Sequence, residues 1–139
     1  MTLSGRARRE KGHAGERALA AKLREAFPEL AGGIKRGLQA QAGGLGNADV
    51  QGLPGFHIEH KHQKKPNMKA AYEQAVRDAA GKGFPMAVVQ YDGARERLCV
   101  LGLTDLCRIL RAAYGYTPPL QFGAQLDLFE APASEREAG

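Results

Sequence analysis

Two acids and a lysine, Asp49, Glu59 and Lys61, stand on a stretch with the pattern of a short β-hairpin. It runs Asn47-Ala48-Asp49-Val50, a turn region holding Leu53-Pro54-Gly55, then Phe56-His57-Ile58-Glu59-His60-Lys61. Successive side chains of a strand point to opposite faces, so Glu59 and Lys61 share one face while Ile58 and His60 take the other. Antiparallel pairing through the turn brings Asp49 across from the Glu59 end, where two carboxylates meet beside one ammonium. Carboxylate oxygens with open coordination positions suit Mg²⁺, which keeps waters that a substrate phosphate can replace. A lysine at such a place steadies a phosphate or an attacking hydroxide. Phe56 and Ile58 require neighbours that bury them, which sets the charged pair at the edge of a core. His57, His60 and His62 make a poor zinc set, because His57 points away from the other two on a regular strand and no cysteine is near.

The elements that must position these groups follow from the pattern. Ala14, Ala18, Leu19, Leu23 and Ala26 recur at helical spacing from about Arg9 to Phe27, and Pro28 ends the run. Residues 34–38 form a short strand and residues 39–47 a Gly-rich flexible loop; the hairpin follows. Pro66 and Asn67 lead into a second helix over about 69–81, with Ala71, Ala75, Val76 and Ala79 towards the core and Gly81-Lys82-Gly83 as its stop. Residues 86–91 and 98–103 are β-rich runs joined at Asp92-Gly93-Ala94, and Thr104-Asp105 can cap a last helix to about Ala113. The expected order is αβββαββα, a mixed β-sheet flanked by helices. Residues 1–8 read as a basic flexible arm, 9–114 as one domain, and 115–139, with Pro118-Pro119, as a flexible tail.

At 139 residues the chain has room for one domain with a core. Its net charge of +5 is uneven: residues 1–69 hold thirteen Lys and Arg against six Asp and Glu, the remainder seven against nine. The basic half is the half with the acid pair, which favours a polyanion partner. Arg8, Arg9, His13, Lys35, Arg36, Lys64, Lys65 and Lys69 are the candidate phosphate contacts; they would position a duplex without reading its bases. Cys99 and Cys107, without C-x-x-C spacing, are expected as small buried hydrophobes in a reducing compartment. No apolar run approaches a membrane span and the basic N-terminus lacks an apolar signal region, so a cytoplasmic location is expected, in a bacterial or phage-infected cell.

Asp49 together with Glu59-His60-Lys61 resembles the D…E-x-K signature of the PD-(D/E)XK nuclease superfamily, and within it the archaeal-type and phage Holliday junction resolvases. The family usually places Pro before the Asp; here Ala48 stands there. Ile34-Lys35-Arg36 and Gly43-Gly44-Leu45-Gly46 are similar to the resolvases' basic strand and Gly-rich loop, and the resemblance spans roughly residues 9–92. It implies the restriction-endonuclease-like α/β fold, Mg²⁺ as cofactor with Mn²⁺ able to substitute, and an acid on the first helix, which Glu16 matches. It further implies Asp49, Glu59, Glu16 and the backbone carbonyl of His60 as metal ligands, Lys61 as the catalytic cation, and Gln74 as an accessory polar group. In the tail, Gln125-Leu126-Asp127-Leu128-Phe129 is similar to the Q-L-S/D-L-F peptide that docks bacterial proteins on the DNA sliding clamp; Gln125, Leu126, Leu128 and Phe129 would make the contact.

The resulting expectation is a Mg²⁺-dependent endonuclease cutting branched DNA as a homodimer, since a junction is cut on two strands symmetrically. The alternatives are a repair or restriction-like nuclease acting on flaps, nicks or mismatches, and a non-catalytic DNA-binding adaptor tethered to the clamp.

Overall fold

The computed structural model describes residues 4–37 and 48–116. The Gly43–Gly46 loop and the segment holding Gln125, Leu126, Leu128 and Phe129 lie outside the described residues.

Three helices, α1 (Gly5–Ala26), α2 (Met68–Ala79) and α3 (Leu103–Ala113), accompany strands β1 (Lys35–Arg36), β2 (Val50–Gln51), β3 (Phe56–Gln63), β4 (Phe84–Tyr91) and β5 (Leu98–Val100). Apart from a 3₁₀ turn at Pro28–Leu30, the order is the expected αβββαββα. The strands form one open mixed sheet in the order β1-β2-β3-β4-β5. Only β3 and β4 pair parallel; α2 makes the crossover that such a pair requires. The chain is therefore α/β.

Ser4 caps α1 by accepting from the backbone N–H of Ala7 at 3.2 Å. The helix thus takes in residues 5–8, which the sequence suggested as a flexible arm, and Arg6 forms an i,i+4 pair with Glu10 there. The face of α1 that turns inward is Gly15, Glu16, Leu19 and Ala20, whereas Ala14, Ala18 and Ala26 are exposed. Of the expected positions Leu19 is buried and Leu23 packs against the core, while the three alanines lie outside because the inward face also carries an acid. Leu19 and Ala20 pack with Ile34, Val50, Ile58, Met86 and Val88 into the main core.

On the other side of the sheet α2 lays Ala71, Ala75 and Ala79 against the strands, with Ala87 and Val89 beneath. Alanines at four-residue intervals let the helix axis come close to the sheet. Val76, expected inside, is 44% exposed because it lies off that alanine line. Asn67 caps the start of α2, accepting from Ala70 at 3.0 Å, and the helix ends on Ala80 in the left-handed conformation, one residue before Gly81. Strand β4 is buried from Phe84 to Val89, as a central strand covered on both faces should be.

Helix α3 begins after Gly102, earlier than the expected Thr104-Asp105 cap; Asp105 instead accepts from Arg108 at 2.9 Å. It buries none of its residues: Leu103 is 74% exposed, and Leu106 and Leu110 remain more than a third exposed. Cys99 and Cys107 are both free and exposed, against expectation, since one lies on the edge strand β5 and the other on this outer helix.

Candidate active site

A central parallel strand in a two-sided sheet is normally apolar throughout. Strand β3 breaks that rule. Its residues His57, Ile58, Glu59 and His60 are all buried, and Glu59 is only 3% exposed. Burying a carboxylate there costs folding free energy that packing alone gives no reason to spend.

Val50 pairs with Ile58 in the antiparallel β2–β3 ladder, and the Asp49 N–H donates to the Ile58 carbonyl at 2.9 Å. That register sets Asp49 across from Glu59, as expected. The Asp49 carboxylate then takes the place of a strand partner: its Oδ2 accepts from the His60 N–H at 2.8 Å. The N–H and C=O of one strand residue leave on the same edge, so the His60 carbonyl faces the Asp49 side, past the last β2 pair. The Asp49 carboxylate acts electrostatically on the Glu59 carboxyl beside it. Lys61 Nζ stands 3.6 Å from Glu59 Oε1 on the same strand face.

Glu16 reaches the cluster from α1. It is 8% exposed, senses the Asp49 charge, and accepts from Arg36 at 3.4 Å. What lets α1 come this close is Gly15, where a Cβ would stand 2.7 Å from Cε1 of the buried His60 ring. Gly15→Val is expected to push α1 off β3, withdrawing Glu16 and costing about 1–3 kcal/mol for the overpacking. Thermal denaturation checks this; a wild-type melting temperature would contradict it.

The electrostatics are those of a site with surplus negative charge. Burial, and then the neighbouring Asp49 carboxylate, push the Glu59 carboxyl up to about 8 despite the opposing pull of Lys61. Burial and the same Asp49 charge raise Glu16, with Arg36 pulling the other way. Burial depresses the His60 imidazole to about 4, so its ring is a neutral packing group. Three carboxylates, countered by Arg36, Arg17 and Lys61 and with Glu59 Oε2 buried and unpartnered, form a donor set that a hard divalent cation fits.

Of the other residues singled out in the sequence, Arg36 is taken up by Glu16 and so belongs to the site more than to an outer surface. Lys35, Lys64, Lys65 and Lys69 are exposed, with Lys69 3.9 Å from Glu73. Arg8 and Arg9 are exposed on α1 and His13 is half-buried. Lys11 bonds Asp92 at 2.6 Å, which ties the N-terminal half of α1 to the same sheet end as Lys64 and Lys65. Gln74, half-buried on α2, makes no hydrogen bond to the acids or Lys61 among the described residues. Asp78 was missed: it lies on α2 next to the buried Ala79 and acts on both His57 and Glu59. Its only sequence signal was its place at the margin of the alanine stripe. Comparison of the chain with protein-family models, curated proteins and solved structures finds no match in any of the three.

Proposed function

We propose that the protein is a divalent-cation-dependent DNA endonuclease of the PD-(D/E)XK kind, selective for branched DNA such as a Holliday junction. The observation that carries this reading is the buried acid pair of Asp49 and Glu59, with Lys61 3.6 Å from Glu59 and Glu16 of α1 close enough to feel the Asp49 charge. Ion pairing alone is a poor explanation, since one buried carboxylate oxygen there has no partner.

Asp49, Glu59 and the His60 carbonyl would hold Mg²⁺ or Mn²⁺, with Glu16 at the rim. The cation, when bound, supplies positive charge to the scissile phosphate and acidifies a water. The chain's own residues do the rest. Lys61, held near Glu59, lies where negative charge develops on the phosphorane and stabilises it. Glu16 accepts a hydrogen bond from the attacking water, its basicity tuned by Arg36. Asp49 is oriented by the His60 N–H, so it does not reorganise when the phosphate arrives. The exposed cations of α1, β1 and the segment after β3 position the backbone.

The test is a panel of labelled DNAs (four-way junction, flap, nicked duplex, plain duplex and single strand) incubated with Mg²⁺ or with EDTA. Mg²⁺-dependent cutting of the junction above the others is expected. Preferential cutting of flaps or nicks would redirect the substrate to repair intermediates, and binding without cutting of any member would leave a DNA-binding adaptor.

Symmetric cutting needs two active sites, and a second copy of this chain is the occupant proposed for the exposed leucines of α3, Leu103, Leu106 and Leu110. Leu106→Glu combined with Leu110→Glu is expected to convert a dimer to a monomer in sedimentation velocity; an unchanged mass would refute that seat.

The peptide at 125–129 is proposed to recruit the enzyme to a bacterial sliding clamp. Leu128→Ala with Phe129→Ala should abolish clamp binding by calorimetry and leave cleavage of a free junction unchanged, because the tether supplies avidity and not chemistry. Clamp binding that survives the double substitution would end the idea.

A further inference from the structure

Beneath α2, on the same β3 face as Lys61, lies a group of which the Asp49 centre uses only Glu59. His57 and Glu59 project from β3 and Asp78 comes down from α2, with one ligand atom of each within 4.8 Å of the others. His57 is completely buried, yet neither Nδ1 nor Nε2 has a hydrogen-bond partner. A histidine retained in a core for structure satisfies at least one ring nitrogen, as buried polar atoms generally do. Glu59 Oε2 is likewise buried and unpartnered, while Oε1 is the atom turned to Lys61. The alanine stripe of α2 is what brings Asp78 down over the strand.

We propose that His57, Glu59 and Asp78 form a second divalent-cation site that takes a transition metal, with Glu59 common to it and to the Asp49 centre. An imidazole nitrogen with two carboxylates is a mixed nitrogen–oxygen set; it suits Zn²⁺, Mn²⁺ or Co²⁺ and disfavours Mg²⁺, which demands oxygen donors. Ligand bonds of about 2.0–2.2 Å set adjacent donors roughly 3 Å apart, so the three side chains close on an ion by rotamer adjustment without backbone movement. Buried between helix and strand, the ion would tie α2 to β3 and fix the Glu59 carboxylate that the hydrolytic centre relies on. The site stands on its own geometry and does not require that the chain cut DNA.

The test is titration of the metal-stripped full-length protein with Co²⁺, read by visible d–d absorption in excess Mg²⁺ and without DNA. The Asp49→Asn variant is expected to keep one Co²⁺ equivalent that Mg²⁺ does not displace. His57→Gln and Asp78→Asn are expected each to lose that equivalent, by at least tenfold in affinity. Asp78 is only half-buried, so its Asn variant keeps the test valid if the His57 variant does not fold. Co²⁺ binding unchanged in Asp78→Asn, or no Mg²⁺-resistant equivalent in Asp49→Asn, overturns the proposal. Junction cleavage by the wild-type protein, measured separately, decides the nuclease reading whichever way the titration falls.

Discussion

Glu59→Gln is expected to abolish DNA cleavage and, in the metal-free protein, to raise the melting temperature at alkaline pH. The two effects have one cause. The folded protein holds the Glu59 carboxyl up to about 8, against an ordinary value of 4.5, through burial and the adjacent Asp49 charge. Between those values the folded state binds more protons than the unfolded state, so stability falls as pH rises from about 4.5 to about 8. Glutamine carries no charge and does not titrate. The gap in melting temperature between variant and wild type should therefore be small near pH 4.5, widen towards pH 8 and level off above it. Mg²⁺ should narrow the gap by binding the folded wild-type protein, as a ligand of the native state must. Lys61→Ala, which removes one partner of the developing charge, should slow cleavage by on the order of 10²-fold or more. A Glu59→Gln enzyme that still cuts, or melts at lower temperature than wild type throughout this pH range, would break the link between the buried acid and the chemistry.

Binding to a four-way junction is expected to weaken by roughly 10³-fold between 50 and 200 mM monovalent salt, with a log–log slope of about −5, if six cations each replace one counterion on phosphate. The six are Arg8, Arg9, Lys35, Lys64, Lys65 and Lys69, all exposed. Arg36 is left out because it is held by Glu16, and His13 because it is half-buried. Lys64→Ala with Lys65→Ala should flatten the slope by about 2 while leaving base-sequence preference unchanged, since phosphate contacts carry no sequence information. Fluorescence anisotropy across a salt series measures both. A slope near −1 would remove the basic half of the chain from the interface. Equal competition by linear duplex would favour a general nuclease over a junction-selective one.

The part of the site on the hairpin was legible because strand alternation and antiparallel register are geometric: Glu59, Lys61 and Asp49 meet as period two dictates. The order of elements was legible for a similar reason, since Pro28, Asn67 and Gly81 punctuate real boundaries. What periodicity missed is where a buried face carries polar groups. Glu16 sits on the buried face of α1, and an apolar-stripe search rotates that face away from it towards Ala14 and Ala18. Asp78 and His57 meet only because α2 crosses over β3, a long-range contact without local pattern. Arg36 reads as a surface cation until β1 brings it beside α1. The leucines of α3 remain exposed, and amphipathicity says that a face needs covering and not what covers it.

The central claim is that Asp49 and Glu59 hold a cation for phosphodiester hydrolysis. Single-turnover cleavage of a labelled four-way junction by the metal-stripped protein, started by adding Mg²⁺ and run beside Asp49→Asn at equal DNA occupancy, tests it most directly. The expected result is cutting by the wild-type protein that begins only on Mg²⁺ addition, with the variant bound as tightly or slightly more tightly and inert. Wild-type protein that stays inert with Mg²⁺ and Mn²⁺ on saturated junction, or an Asp49→Asn variant that cuts at the wild-type rate, would contradict it.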